Sequence, residues 1–137
     1  HKDNEKIVKV IAGKYRNTEG PEKGHNVKPI YFHIKLNESK EFESEIPLGH
    51  NSFIYLLNGE LNIGSKKHLK TRNSNLILLH KGDLLKVKAI KHSEFLFIAG
   101  KPIGEQIARG GPFVMNTKEE ILQAIEDYKN GTFVETI

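Results

Sequence analysis

In residues 110–131 (GGPFVMNTKEEILQAIEDYKNG) the apolar side chains recur with the period of a helix, and no other stretch of the chain shows that period convincingly. Thr117 and Glu120 have the spacing of a capping box, in which the hydroxyl accepts from the N3 amide and the carboxylate accepts from the cap amide. The spacing predicts a helix that starts at Lys118 and runs to about residue 129. Ile121, Ala124, Ile125 and Tyr128 share one face, Glu119, Gln123 and Glu126 lie opposite, and Gly131 is placed to close the C-terminus. A single amphipathic helix must lay its apolar face on something, so the rest of the chain is expected to supply a sheet.

That remainder alternates with period two. Residues 7–12 read as a strand, and residues 13–29 as a long polar connection with room for an extra short hairpin. Ile30, Phe32, Ile34 and Leu36 alternate with Tyr31, His33 and Lys35, the pattern of a half-buried strand. Phe42, Ser44 and Ile46 alternate with Glu41, Glu43 and Glu45, and these glutamates are expected to face water. Residues 53–57 and 60–63 flank Asn58-Gly59, which reads as a two-residue type I′ hairpin. Residues 76–79, 84–90 and 94–99 bring the total to about eight strands. Short strands at near-regular spacing with little helix between them predict an all-β antiparallel sandwich or closed jelly roll with one C-terminal helix.

At 137 residues the chain is expected to form one domain with a self-sufficient core. Its apolar fraction of 37% and charged fraction of 28% are those of an ordinary globular protein, and no apolar run approaches a membrane span. Without cysteine there is no disulfide scaffold, thiol nucleophile or thiolate metal site. No signal peptide is visible, so a cytoplasmic address is expected, and the glycosylation triplets at Asn37 and Asn130 are discounted. The first residue is His1 and the lone methionine is Met115, so the start reads as a processed, cut or tag-derived end.

Residues 100–131 (GKPIGEQIARGGPFVMNTKEEILQAIEDYKNG), with FVMNT at 113–117, closely resemble the C-terminal signature of the pirins, which are two-barrel cupin proteins. The likeness extends back through FIAGKP at 97–102, FIYLLNGE at 53–60 and KVIAG at 9–13. It covers almost the whole chain but only the second pirin barrel. Gln106 stands where the family often has proline, and Gly110 where it often has a larger residue. The resemblance implies an antiparallel cupin jelly-roll barrel, or double-stranded β-helix. It also implies iron in a partner N-terminal barrel rather than here, with the family's quercetin-dioxygenase-like or transcriptional co-regulator activities tied to that barrel.

A metal site on such a barrel needs convergent imidazoles and a carboxylate. The comparable stretch here, Glu45-Ile46-Pro47-Leu48-Gly49-His50, lacks the His-x-His pair of ligand-bearing cupins, leaving His50 alone. His92-Ser93-Glu94 has the alternate spacing that puts two donors on one strand face, but two donors do not make a site. His33, beside Tyr31 and Lys35, completes the candidate set, and solvent exposure is the plainer reading for it. Nucleophile-elbow, phosphate-loop and dinucleotide motifs are missing. The net charge of +4 and the basic run Lys66, Lys67, Lys70 and Arg72 could contact phosphate, yet no aromatic interleaving accompanies them, so direct nucleic-acid binding is not expected.

The expectation is therefore a metal-free C-terminal barrel with no catalytic residues, acting as a structural and interaction module. Its partner is expected to be an N-terminal pirin-type barrel, or a second copy in a homodimer. Pro112, Phe113, Val114 and Met115 are the expected interface, because consecutive apolar residues are unusual in a connecting loop. The rival expectation is a small metal-dependent cupin dioxygenase that gathers His92, Glu94, His50 and His33 around one divalent ion.

Overall fold

The computed structural model describes residues 1–23, 26–64 and 74–134. They form two compact units, His1–Pro102 and Ile103–Ile137. The first contains β1 (Lys6–Ala12), β2 (Lys14–Tyr15), β3 (Thr18–Glu19), β4 (Ile30–Leu36), β5 (Glu41–Glu45), β6 (Asn51–Asn58), β7 (Leu61–Ile63), β8 (Leu76–Leu78), β9 (Leu84–Ala89) and β10 (Ser93–Gly100). Eight of these build two antiparallel sheets, a five-stranded one in the order β1-β4-β10-β6-β8 and a three-stranded one in the order β5-β9-β7. β2 and β3 pair as the small hairpin anticipated in the first long connection.

Period-two alternation sorts each strand into an inner and an outer row. Val8 and Val10, Phe32 and Ile34, Ile54 and Leu56, and Phe95 and Phe97 from the larger sheet meet Phe42, Leu61 and Val87 from the smaller. Tyr15 stacks on Phe42 with ring centroids 5.4 Å apart, and Phe42 meets Phe95 edge-on at 5.9 Å. Facing sheets with interdigitated aromatic and branched side chains are a packed core, worth far more by burial than the strand propensities of the same residues. Glu41, Glu43 and Glu45 face solvent as expected, and Glu43 meets Lys86 of β9 at 2.9 Å.

The Asn58-Gly59 turn differs from its sequence reading. β6 pairs with β10 and β8, whereas β7 pairs with β9, so the turn carries the chain from one sheet to the other instead of closing a hairpin. Asn58 also lacks the positive φ that a type I′ turn requires at both central residues, while Gly59 has φ +100°. The physical reason is crowding. A Cβ on Gly59 would lie 2.3 Å from Ser93 Oγ and 2.6 Å from the His92 carbonyl oxygen, so the glycine lets β10 start hard against the corner.

The second unit contains β11 (Ala108–Gly110), β12 (Phe113–Met115) and α1 (Lys118–Asn130). β11 and β12 form a hairpin through Gly111-Pro112, with Gly111 at φ +56°, so the stretch read as a loop is a strand pair. The helix starts where predicted. The Glu120 amide donates to Thr117 Oγ1 at 3.2 Å, and Glu120 Oε2 accepts from the Thr117 amide at 2.8 Å. Gly131 ends it in the left-handed region at φ +71°. Its apolar face buries Ile121 and Ala124 against the hairpin, where Gly110 passes so close that a Cβ would fall 2.4 Å from Ile121 Cγ2. No described helix is long and apolar enough to cross a membrane.

Candidate functional site

The space between the two sheets is where a cupin barrel could hold a metal. Among the described residues the buried polar side chains are Ser44, Ser52 and Ser93, the phenol of Tyr15 also lies in the core, and the other buried side chains are hydrocarbon. Four phenylalanines, Phe32, Phe42, Phe95 and Phe97, are fully buried there. Neither imidazole nor carboxylate is among those side chains, so this donor set does not fit iron or any other divalent ion, which needs nitrogen and oxygen ligands in convergent geometry.

The structure brings two of the four candidate ligands together and separates the others. His33 of β4 and Glu94 of β10 meet on the outer face of the five-stranded sheet, with His33 Nε2 donating to Glu94 Oε1 at 2.6 Å and Lys35 Nζ 3.5 Å from the same oxygen. That hydrogen bond, and then the Lys35 charge, hold the Glu94 carboxyl below the usual carboxylate range. His92 is exposed immediately before β10. His50 donates through Nε2 to the Lys28 carbonyl at 3.0 Å and precedes the end of β6 that pairs with Gly100. Six residues of extended strand, about 20 Å, separate that end of β10 from Glu94. Among the described residues no group of three or more histidines, aspartates or glutamates is close enough to hold a metal. The basic run Lys66, Lys67, Lys70 and Arg72 lies outside the described residues.

Within His92-Ser93-Glu94 the two donors face outward, His92 exposed and Glu94 half-buried, while the serine between them turns inward. Ser93 is fully buried, its Oγ accepts from the Glu60 amide at 3.1 Å, and its hydroxyl lies 2.7 Å from the Lys91 carbonyl and 3.2 Å from that of Glu60. It joins the sheet-crossing corner to the start of β10. A serine next to a histidine gives no local sign of this, because its partner is 33 residues away.

The four expected interface residues separate by strand alternation. Phe113 and Met115 are half-buried on one face of β12, where Phe113 lies 6.1 Å from the Tyr128 ring and 5.1 Å from that of Phe133. Val114, on the other face, is 61% exposed, and Pro112 occupies the exposed turn.

Two antiparallel sheets of five and three strands closed over an apolar interior define a jelly roll of the cupin class. Residues 31–134 match the Pirin C-terminal cupin domain. The chain belongs to the pirin family and corresponds to that C-terminal domain. It is 32% identical over 133 residues to a pirin-like protein of Caulobacter vibrioides, covering 96% of this chain and 47% of the relative. Human pirin is 40% identical over 104 residues, or 74% of this chain and 36% of pirin. The crystal structure of a quercetin 2,3-dioxygenase from Acinetobacter baumannii is similar with a TM-score of 0.79 and 29% identity, over 99% of this chain and 46% of that one. The chain thus spans less than half the length of these relatives.

Proposed function

We propose that this chain is an interaction module, the C-terminal cupin barrel of a pirin-type protein that packs against a cupin half carrying the metal. Any quercetin-dioxygenase-like or co-regulator activity then belongs to the pair. The supporting observation is the surface of the second unit. Its helix buries Ile121 and Ala124, while Ile103, Ile107, Val114, Leu122, Tyr128 and Val134 remain between 61% and 73% exposed. Single apolar residues scattered over a surface need no explanation, but six in so short a unit have the composition of a surface made to be covered. The largely apolar interior of the barrel favours the same reading, since its described buried side chains include no carboxylate or imidazole.

Mixing this chain with the part of the Caulobacter relative that it does not span tests the proposal. The two should comigrate in size exclusion above micromolar concentration. Val114→Asp with Leu122→Asp, both on exposed positions, should abolish comigration while the melting temperature holds. Failure of the unmodified chain to associate would overturn the reading.

A further inference from the structure

At one end of the first unit the two sheets part around a cleft of about 830 Å³. Ile30 and Ile46 line its floor and are themselves buried members of the core, so the cleft stops short of the barrel interior. Pro29, Pro47 and Leu84 carry the apolar surface outward. The walls differ in charge. Lys14 of β2 and Lys28, just before β4, come from the corner of the larger sheet where Gly13 packs against Pro29 and Ile30. Glu45 of β5 and Asp83, just before β9, come from the smaller sheet, where the Ile46 amide donates to the Asp83 carbonyl at 2.8 Å. Glu19 takes up the charge of Lys23 at 2.8 Å, and Glu22 also lines the lysine side. Among the described residues Lys14, Lys28, Glu45 and Asp83 enter no ion pair.

The spacing of the walls is fixed by the chain itself. Lys28 sits in the left-handed region at φ +44°, which is uncommon for a residue with a side chain. His50 Nε2 donates to its carbonyl at 3.0 Å, while the His50 amide donates to the Pro47 carbonyl at 3.1 Å. One residue thus ties the Lys28 wall to the Pro47 wall. Strained backbone held in place by its surroundings recurs at ligand clamps, and a cleft preformed in this way spends less of its binding energy on ordering.

We infer that this cleft binds a short zwitterionic peptide with apolar side chains, its carboxylate at Lys14 and Lys28 and its ammonium at Glu45 and Asp83. The apolar side chains lie over Ile30 and Ile46. The volume is in the range of small-molecule sites and is roomier than a single amino acid requires. A simple anion would leave Glu45 and Asp83 unanswered, and a simple cation would leave the two lysines so, whereas a molecule charged at both ends complements both walls. The inference goes beyond the proposed function and is independent of it, since the cleft is built from the first unit and the proposed surface from the second.

Titration of the isotope-labelled chain with the dipeptide Leu-Leu, followed by amide chemical shifts, tests the inference. Saturable shifts are expected at the cleft residues at millimolar peptide. The N-acetylated dipeptide lacks the ammonium and the C-terminal amide lacks the carboxylate, so each should bind roughly threefold or more weakly. Lys28→Gln should weaken the free dipeptide by a similar factor and leave its amide unaffected. Asp83→Asn should weaken the free dipeptide and leave the acetylated form unaffected. Both positions are exposed, so the melting temperatures should match the unmodified chain and separate a lost contact from a lost fold. Equal affinity for the free and blocked peptides would reduce the cleft to an apolar groove and overturn the inference. Shifts confined to other residues, or none below about 10 mM, would overturn it as well.

Discussion

Glu94 and Gly59 show how single residues depend on neighbours far along the chain. The Glu94 carboxylate is favoured by the His33 hydrogen bond, a contact between residues 61 apart that exists because β10 pairs with β4. Its pKa is lowered, so its contribution to stability is fully present above the unfolded value of about 4.3 and is lost as pH falls through the lower folded value. Melting temperature followed from neutral pH down to about pH 2.5 should therefore fall more steeply for the unmodified chain than for Glu94→Gln. Parallel curves would show that the pair adds nothing to stability. At Gly59 the positive φ and the position of a Cβ, which would fall 2.3 Å from Ser93 Oγ, both exclude a side chain. Gly59→Ala should cost about 2–3 kcal/mol in denaturant unfolding, from strain at φ +100° plus displacement of the Ser93 hydroxyl. A loss under about 0.5 kcal/mol, the range of an ordinary surface substitution, would mean that the corner relaxes freely.

The elements divide by how local their causes are. The start of α1 was legible in four letters, because a capping box is made within one turn and both of its hydrogen bonds are present. Thr117→Ala should cost about 1 kcal/mol by removing the acceptor of the Glu120 amide, read as a loss of helical signal at a lower temperature in thermal circular dichroism. An unchanged helical melt would mean that the cap contributes nothing. Strands were legible from period two, including which row of β4 and β5 turns inward. Asn58-Gly59 misled because the same dipeptide serves a hairpin or a sheet crossing, and which one forms depends on the partners that β6 and β7 find elsewhere. The strand pair β11–β12 was missed because three-residue strands carry too little alternation to register. That Tyr31, Phe53 and Leu78 share one row was illegible for a related reason: they come from separate strands, and only register brings them together.

For the whole molecule, the sequence pattern and the resemblance together gave the jelly roll and its place as the second half of a pirin. The candidate ligands were each legible as residues, but their separation was not, since spacing along a strand does not say which face or which end of a sheet a side chain occupies. Among the described residues the largest side chains buried in the barrel are Phe32, Phe42, Phe95 and Phe97, and none of the buried side chains offers an imidazole or carboxylate to a metal. Elemental analysis of the purified chain after incubation with ferrous iron and desalting tests this most directly. The account predicts far less than one equivalent of iron, the same for the unmodified chain as for His33→Ala and Glu94→Ala. One molar equivalent, lost in both variants, would contradict it and place the chemistry in this barrel.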